Sequence, residues 1–406
     1  MINIERISCD SIDLKGYGVV HYENRDYRIP NLLPGEIAQV DLYDHGYGKV
    51  IAWLKKSDQR LKAPCSIYHE CGGCLLQHIP YETQLEMKTN YVKQCFAEYY
   101  LPTSTILPTI GMKNPYHYRN KVQMVISEKG KRILSGFYEE NTHRVVNISD
   151  CYIQDEVANS IVNTCKALFS EQKIKPYDED KKTGLIRHIM VKRSQSTEQV
   201  LVVIVTSEEK FPGRHNFVQA LRTKHPNITS IVQNINPRKT SVVLGDFERV
   251  LFGKGYIVDE MMSMKFMISS KTFYQVNSFQ TEKLFSKAME LAKLNPTDTL
   301  LDAYSGVGTI GLLMSSLVKK VYAVEINPDS IKNAIQNAKL NQVKNVYFAK
   351  SDAVDYITKL INDQISIDVV VVDPPRMGLD PAFVEALKQL NPKKIIYISC
   401  DPSTLA

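Results

Sequence analysis

The sequence predicts an α/β protein. A doubly wound parallel sheet occupies its last third, preceded by a small β-barrel and a central α+β region carrying a cysteine cluster. Three observations carry this. From about residue 261, short apolar runs alternate with helical stretches. Asp302-Ala-Tyr-Ser-Gly306-Val-Gly308-Thr-Ile-Gly311 joins the first of those runs to a helix. The first 58 residues read as short strands punctuated by glycines. At 406 residues the chain is too long for one hydrophobic core, and its textures divide it into 1–58, 59–260 and 261–406.

Composition excludes several classes. Apolar residues are 44% and charged residues 23%, which rules out wholesale disorder and collagen-like structure. No apolar run approaches the roughly 18 residues of a membrane-spanning helix. The opening Met1-Ile-Asn-Ile-Glu-Arg6 lacks the basic-then-apolar pattern of a signal peptide. A cytoplasmic protein without a membrane partner is expected, and a monomer by default. The net charge of +6 and pI near 8.7 permit a polyanionic partner without demanding one.

In the first region Gly16–Val20, Tyr27–Pro30, Ala38–Tyr43 and Gly46–Ala52 are the strand-like runs. Lys15, Arg25, Arg28, His45 and Lys49, interleaved with tyrosines, suit a nucleic-acid face and equally a solvated barrel surface. In the central region Lys121–Ser127 and Gln199–Val205 read as strands. Tyr81–Tyr100 carries Leu85, Val92, Phe96 and Tyr99 at helical spacing, which reads as core packing.

Eight cysteines in a reducing compartment are thiols rather than disulfides. Cys65-x5-Cys71-x2-Cys74, with Cys151 further on, offers four thiolates in one region. Such a set holds either tetrahedral zinc or an iron–sulfur centre, and spacing does not separate the two. Cys9, Cys95 and Cys165 have no partners by spacing.

In the last region Thr299–Asp302, Val321–Glu325, Val346–Ala349, Asp368–Asp373 and Lys394–Ser399 are the strands of a Rossmann-like sheet. The glycines after Asp302 allow a tight turn and close approach of the backbone to a ligand. Glu325 ends the second strand 19 residues past Gly306, where a carboxylate can hold ribose hydroxyls. That pattern fits a dinucleotide or S-adenosylmethionine. The late position in the chain and the chemistry of two later strand ends favour S-adenosylmethionine.

Those strand ends are Asp373-Pro-Pro-Arg376-Met-Gly378 and Ser399-Cys400-Asp401-Pro402. Prolines stiffen both turns, and Pro402 suits the first turn of a helix. Cys400 is the candidate nucleophile, although Asp401 beside it disfavours the thiolate. Carbon 5 of uracil is a poor nucleophile. Addition of a thiolate to carbon 6 makes an enolate whose carbon 5 can take a methyl group. Methylation of oxygen or of an exocyclic nitrogen needs no such thiolate. Asp373 is placed to orient the base by accepting from its N3–H. Arg376 can hold a phosphate or carboxylate, or form a structural ion pair.

These residues resemble the RNA uracil-5-methyltransferase family. Asp373-Pro-Pro-Arg-x-Gly378 followed by Ile395-Ile-Tyr-Ile-Ser-Cys400 resembles its signature, and Lys271-Thr-Phe-Tyr-Gln275-Val-Asn277 and Tyr118-Arg-Asn-Lys121 resemble two other recurring segments. The resemblance implies Cys400 as the nucleophile, and Gln275, Tyr304, Gly306, Glu325, Asp352 and Asp373 as contacts of S-adenosyl-L-methionine. It implies Cys65, Cys71, Cys74 and Cys151 as ligands of a [4Fe–4S] cluster. The first 58 residues resemble the TRAM domain, an RNA-binding OB-like barrel. Members with both features act on 23S ribosomal RNA, whereas the tRNA branch typically lacks both. The implied activity is 5-methylation of one or two uracils in 23S ribosomal RNA, with a tRNA uracil-5-methyltransferase as an alternative. Two departures stand out. The family's Ser-Cys-Asn-Pro is Ser-Cys-Asp401-Pro here, and the sequence ends at Ala406, before the family's general-base glutamate. A chain that forms the covalent adduct without removing the carbon 5 proton is expected on that ground, and an rRNA-binding or assembly factor is the competing reading.

Overall fold

The structure, a computed structural model, describes residues 1–13, 16–138, 144–240 and 242–406. Lys15 lies outside them. The chain forms two compact units: Met1–Pro115 with Tyr138–Val146 and Ala406, and Tyr116–Phe137 with Asn147–Leu405.

The first unit opens with two three-stranded antiparallel sheets. One runs Ile2–Ser8, Ile37–Leu42, Gly48–Lys55; the other runs Ser11–Ile12, Gly18–Tyr22, Arg25–Ile29. Alternating burial along Ile37–Leu42 sends Ala38, Val40 and Leu42 inward, where they meet Val20, Tyr27, Ile29 and Leu32. Glu36 is fully buried beneath this core. Burial works to raise its pKa, but hydrogen bonds from Arg60, Leu33 N–H and Ser57 N–H hold it below the usual range. The Arg60 guanidinium in turn lies 5.3 Å from the Trp53 ring.

The helix Tyr81–Glu98 follows. Its apolar stripe is not the core packing that its spacing suggests. Only Cys95 is buried along it, and Tyr99, just past its end, is 61% exposed. The cover is an irregular segment, pinned where Met112 N–H donates to the Tyr81 hydroxyl at 2.8 Å and where the Thr89 and Thr109 hydroxyls meet at 2.8 Å.

The second unit holds two large sheets. The first has the order Phe247–Phe252, Ile228–Ile235, Val200–Thr206, Ile186–Arg193, Lys121–Lys129, Arg132–Tyr138. Its two middle strands, Ile186–Arg193 and Val200–Thr206, are buried almost throughout, as strands covered on both faces must be. A hairpin, Tyr256–Met261 with Met264–Ser269, turns at Met262 and Ser263, both in the left-handed region. It leads into the helix Ser278–Ala292, capped by the Asn277 side chain at 3.1 Å from Gln280 N–H.

The last sheet is wholly parallel, in the order Val346–Lys350, Lys320–Glu325, Thr299–Asp302, Val369–Val372, Lys394–Tyr397. Numbered along the chain this is 3-2-1-4-5. The order reverses between Thr299–Asp302 and Val369–Val372, which sets a ligand crevice at their carboxyl ends. Cys400 follows Lys394–Tyr397, one strand away from that reversal. No helix among the described residues is long and apolar enough to cross a membrane.

Candidate active site

Each strand of the parallel sheet delivers at least one expected site residue at or just past its carboxyl end. Asp302, Tyr304 and Gly306 follow the first strand, Glu325 ends the second, and Asp352 follows the third. Asp373 follows the fourth and Cys400 the fifth. This is the consequence of parallel pairing, which places all five strand ends on one side.

The first turn is built around Asp302. Its carboxylate is fully buried and accepts from Gly311 N–H at 2.9 Å. Burial pushes its pKa up to about 7, with Asp373 and Glu325 adding to the rise. The three glycines differ in role. Gly311 lets the helix approach, since a Cβ there would lie 3.1 Å from Asp302 Oδ2. Gly308, at φ +81°, caps the helix Thr309–Met314 against Phe348 and Ala334. Gly306, at φ +53°, faces open space, with no atom within 4 Å of a Cβ built on it. It is the glycine that leaves room for a ligand.

Glu325 is held from two sides. Its carboxylate accepts from Gly306 N–H at 3.0 Å and from Asn327 N–H at 2.7 Å. Asp352 is exposed and caps the helix Ala353–Asn362, accepting from Val354 N–H at 2.8 Å. Tyr304 stacks obliquely on Phe383 at 5.7 Å. Burial pushes its pKa up to about 12, and Asp352, Asp380 and Tyr397 add to that. Burial also pushes Asp373 up to about 6. This sheet end is therefore acidic and partly desolvated, an environment that disfavours the ionised form of its own carboxylates.

The fifth turn has the opposite character. Cys400 is exposed. The next residues form the single helical turn Pro402–Leu405, with proline in its first position as the sequence suggests. Asp401 serves this turn, accepting from Ser403 N–H at 3.0 Å and from the Ser403 hydroxyl at 2.6 Å. Those bonds, with Arg376 nearby, hold its carboxyl below the usual range. The Thr404 hydroxyl donates to the Arg376 carbonyl at 3.3 Å, so the Cys400 and Asp373 turns are fastened together. Tyr397 lies between them, its hydroxyl 3.5 Å from a Cβ built on Gly378.

Gln275 comes from outside the sheet. Asn120 Nδ2 donates to its carbonyl at 2.9 Å and to the Ser278 hydroxyl at 2.8 Å, and Asn120 N–H donates to the Val276 carbonyl at 2.9 Å. Thus the Tyr118–Lys121 and Lys271–Asn277 segments meet. Asn337, fully buried, accepts from Met267 N–H at 2.8 Å and donates to the Val307 carbonyl at 3.1 Å, tying the same linker to the glycine turn. Sequence reasoning passed over Asn337, over Lys192 (treated below) and over Ser305, whose buried hydroxyl on the glycine turn meets no protein partner. Ser305 alone was within reach of a sequence signal, standing inside the glycine pattern.

Cys65, Cys71 and Cys74 flank or end the short helix Tyr68–Cys71. Cys65, Cys71 and Cys74 are half-buried. Burial pushes the Cys71 thiol up, and Cys65 is close enough to add to the rise. Tyr68 is buried in their midst, its hydroxyl donating to the Leu75 carbonyl and meeting His78 Nδ1, both at 2.7 Å. Cys151 belongs to the second unit, where its carbonyl accepts from Asn159 at 3.1 Å. Among the described residues no three His, Cys, Asp or Glu side chains form a metal-ligating group. Cys9, Cys95 and Cys165 are buried, and burial pushes the Cys9 thiol up to about 12 and the Cys165 thiol higher still.

A parallel 3-2-1-4-5 sheet, a glycine turn with an open Gly306 and acidic side chains at the same sheet end fit an S-adenosyl-L-methionine-dependent methyltransferase fold. The family model for tRNA (uracil-5-)-methyltransferases matches residues 80–406. The chain is 37% identical over 409 residues to an uncharacterized RNA methyltransferase of Halalkalibacterium halodurans, covering 100% of this chain and 89% of that protein. It is 40% identical over 411 residues to another from Clostridium acetobutylicum, again covering 100% and 89%. Among solved structures, the Pyrococcus abyssi tRNA (uracil-54, C5)-methyltransferase in complex with S-adenosyl-L-homocysteine superposes with a TM-score of 0.79 at 26% identity. That match covers 98% of this chain and 91% of that one. The chain belongs to the RNA uracil-5-methyltransferase family. Its activity is S-adenosyl-L-methionine-dependent 5-methylation of uracil in RNA.

Proposed function

We propose that Cys400 is the nucleophile of this methylation and that the substrate is 23S ribosomal RNA. One observation carries the chemical part. An exposed thiol stands on a turn hydrogen-bonded to the Asp373 turn, at the same sheet end as the acidic side chains and the open Gly306.

S-adenosyl-L-methionine, when bound, supplies an electrophilic methyl group. Gln275, Tyr304, Gly306, Glu325, Asp352 and Asp373 are the residues proposed to hold it. The buried Asp302, pressed by Asp373 and Glu325, fits a ligand bearing positive charge. The Cys400 sulfur adds to carbon 6 of the uracil, and the C5–C6 π electrons shift onto carbon 5 and the O4 carbonyl. Carbon 5 then takes the methyl group as the methyl–sulfonium bond breaks, its electron pair leaving with S-adenosyl-L-homocysteine. Loss of the carbon 5 proton to a base expels the sulfur and restores the ring. Asp373 holds the ring by accepting from N3–H. The base must leave its stack first, at a cost of a few kcal/mol. An exposed Cys400 suits a pyrimidine arriving from solution rather than from within the fold.

The ribosomal reading rests on the TRAM-like sheets and the cysteine pattern. In the first unit Tyr43 and His45 stack at 5.6 Å, with Tyr47 at 5.7 Å beyond, a surface suited to unpaired bases. The reading of Cys65, Cys71, Cys74 and Cys151 as [4Fe–4S] ligands, with zinc as the alternative, rests on the sequence pattern. Iron, sulfide and zinc analysis of anaerobically purified protein separates them. The Pyrococcus tRNA enzyme spans almost the whole chain, so overall layout alone does not separate ribosomal from transfer RNA.

The experiment incubates the protein with labelled S-adenosyl-L-methionine and transcripts of 23S rRNA and of tRNA, then maps 5-methyluridine by mass spectrometry. Label in 23S rRNA supports the substrate reading. Label confined to tRNA overturns it, and transfer by Cys400→Ser removes the nucleophile.

A further inference from the structure

We propose that Lys192 is a positioning residue for the cofactor. With Asn120 at the other end, it clamps the backbone on both sides of Phe273 and Tyr274 and so aims Gln275. The proposal rests on the reading of Gln275 as a cofactor contact.

Lys192 stands in the buried strand Ile186–Arg193 and is 4% exposed. Its ammonium donates to the carbonyls of Ser269, Ser270 and Thr272 at 2.7, 2.8 and 2.8 Å. Three carbonyl oxygens from one short turn converge on one point. Their dipoles repel, and only a cation with three N–H donors satisfies all of them at once. Burial makes this expensive, lowering the lysine pKa to about 7, with Lys121 adding and Glu248 opposing. An apolar residue in that strand would cost nothing of the kind. The lysine is thus explained by the turn it holds rather than by the sheet it sits in.

The turn leads straight to the site. The Thr272 hydroxyl accepts from Ser269 N–H at 2.9 Å and from Asn333 Nδ2 at 3.1 Å. Asn333 lies on the helix Pro328–Leu340, which begins three residues after Glu325. On the far side Asn120 holds Gln275, Val276 and Ser278 through the three bonds described above. Between the anchors the main chain carries Phe273 and Tyr274, and the Gln275 side chain stands at the second anchor. Loss of either anchor frees this segment by several backbone torsions.

The test measures S-adenosyl-L-homocysteine binding to RNA-free protein by calorimetry, at low temperature, for Lys192→Met, Asn120→Ala and Gln275→Ala. Each is expected to raise the dissociation constant about tenfold, the equivalent of about 1.4 kcal/mol. In methyl transfer the two clamp variants should raise KM for S-adenosyl-L-methionine and leave KM for the 23S rRNA transcript unchanged. A merely structural lysine would raise both or neither. Asn120→Ala reads the clamp independently, so the test stands if Lys192→Met fails to fold. Wild-type affinity in Lys192→Met and Asn120→Ala, with Gln275→Ala weakened, overturns the clamp. Wild-type affinity in Gln275→Ala alone contradicts the reading of Gln275 and leaves the proposal without its target.

Discussion

Two turns of the same parallel sheet differ in nearly every respect. The turn after the first strand is buried, acid-centred and glycine-packed, with Asp302 fully enclosed. The turn after the fifth strand is exposed, capped by Asp401, and carries its thiol in the open. On the proposed assignment of Cys400 and the carboxylates, the difference teaches how one sheet edge serves two reactants of unlike size. A small cationic donor is matched by desolvated carboxylates, while a base on a large polyanion needs a nucleophile that solvent, and hence RNA, can reach.

The largest expected effect lies at the exposed turn. Cys400→Ser should lower methyl transfer by on the order of a thousandfold or more while leaving the melting temperature within a degree or two. A large fall in stability would show that the thiol is a packing residue and would erase the contrast between the turns.

At the buried turn the sign reverses. The pKa of Asp302 is raised from 3.8 to about 7 in the folded chain, so the native state holds more protons than the unfolded one across that window. Stability from this group therefore declines as pH rises from about 4 to about 7. Asp302→Asn removes that loss. Denaturant unfolding at pH 7.5 should show a gain on the order of a few kcal/mol, while S-adenosyl-L-methionine binding weakens.

A related effect follows in the wild type. A cationic ligand favours the ionised forms of Asp302 and Asp373, whose pKa values are about 7 and about 6. The bound state then holds fewer protons, so affinity should rise by roughly tenfold between pH 5.5 and 7.5, with proton release seen by calorimetry in buffers of different ionisation enthalpy. Affinity independent of pH would mean the acids do not sense the ligand.

The glycines sharpen the contrast within the buried turn itself. Gly308→Ala meets Phe348 at 3.1 Å at a positive φ, and should cost stability by more than about 1 kcal/mol. Gly306→Ala, facing open space, should cost about 1 kcal/mol from backbone strain alone and act mainly on cofactor affinity. The smallest effect belongs to Asp401→Asn. Asparagine caps as well as aspartate, so stability should change by less than about 0.5 kcal/mol and turnover by only a few-fold.

Much of this was legible in the sequence. Period and turn chemistry located all five parallel strands, and the residues at their ends are the ones the structure gathers. Parallel strands bury both faces and so read as plain apolar runs, and a ligand-binding turn needs glycines in view. What stayed hidden was set by long-range pairing. Strand order cannot be read from a run of valines, so the strand Val369–Val372 that separates Cys400 from the switch point, where the sequence reading put it, emerged only from the ladder. Lys192 acts on carbonyls some 77 to 80 residues away, and nothing in its own strand announces them. The Leu85–Tyr99 stripe misled for a related reason. Amphipathic spacing shows that a helix has an apolar face, but not how well the rest of the unit covers it.

The central claim is a bond from Cys400 to carbon 6 of a uracil, and it can be trapped. RNA transcripts carrying 5-fluorouridine have no carbon 5 proton to lose, so the methylated adduct cannot eliminate the sulfur. Mass spectrometry of the digested complex should show a nucleotide and one methyl group on the Cys400 peptide, dependent on S-adenosyl-L-methionine and absent from Cys400→Ala. An adduct on another residue, or methyl transfer by Cys400→Ala with no adduct, would contradict it.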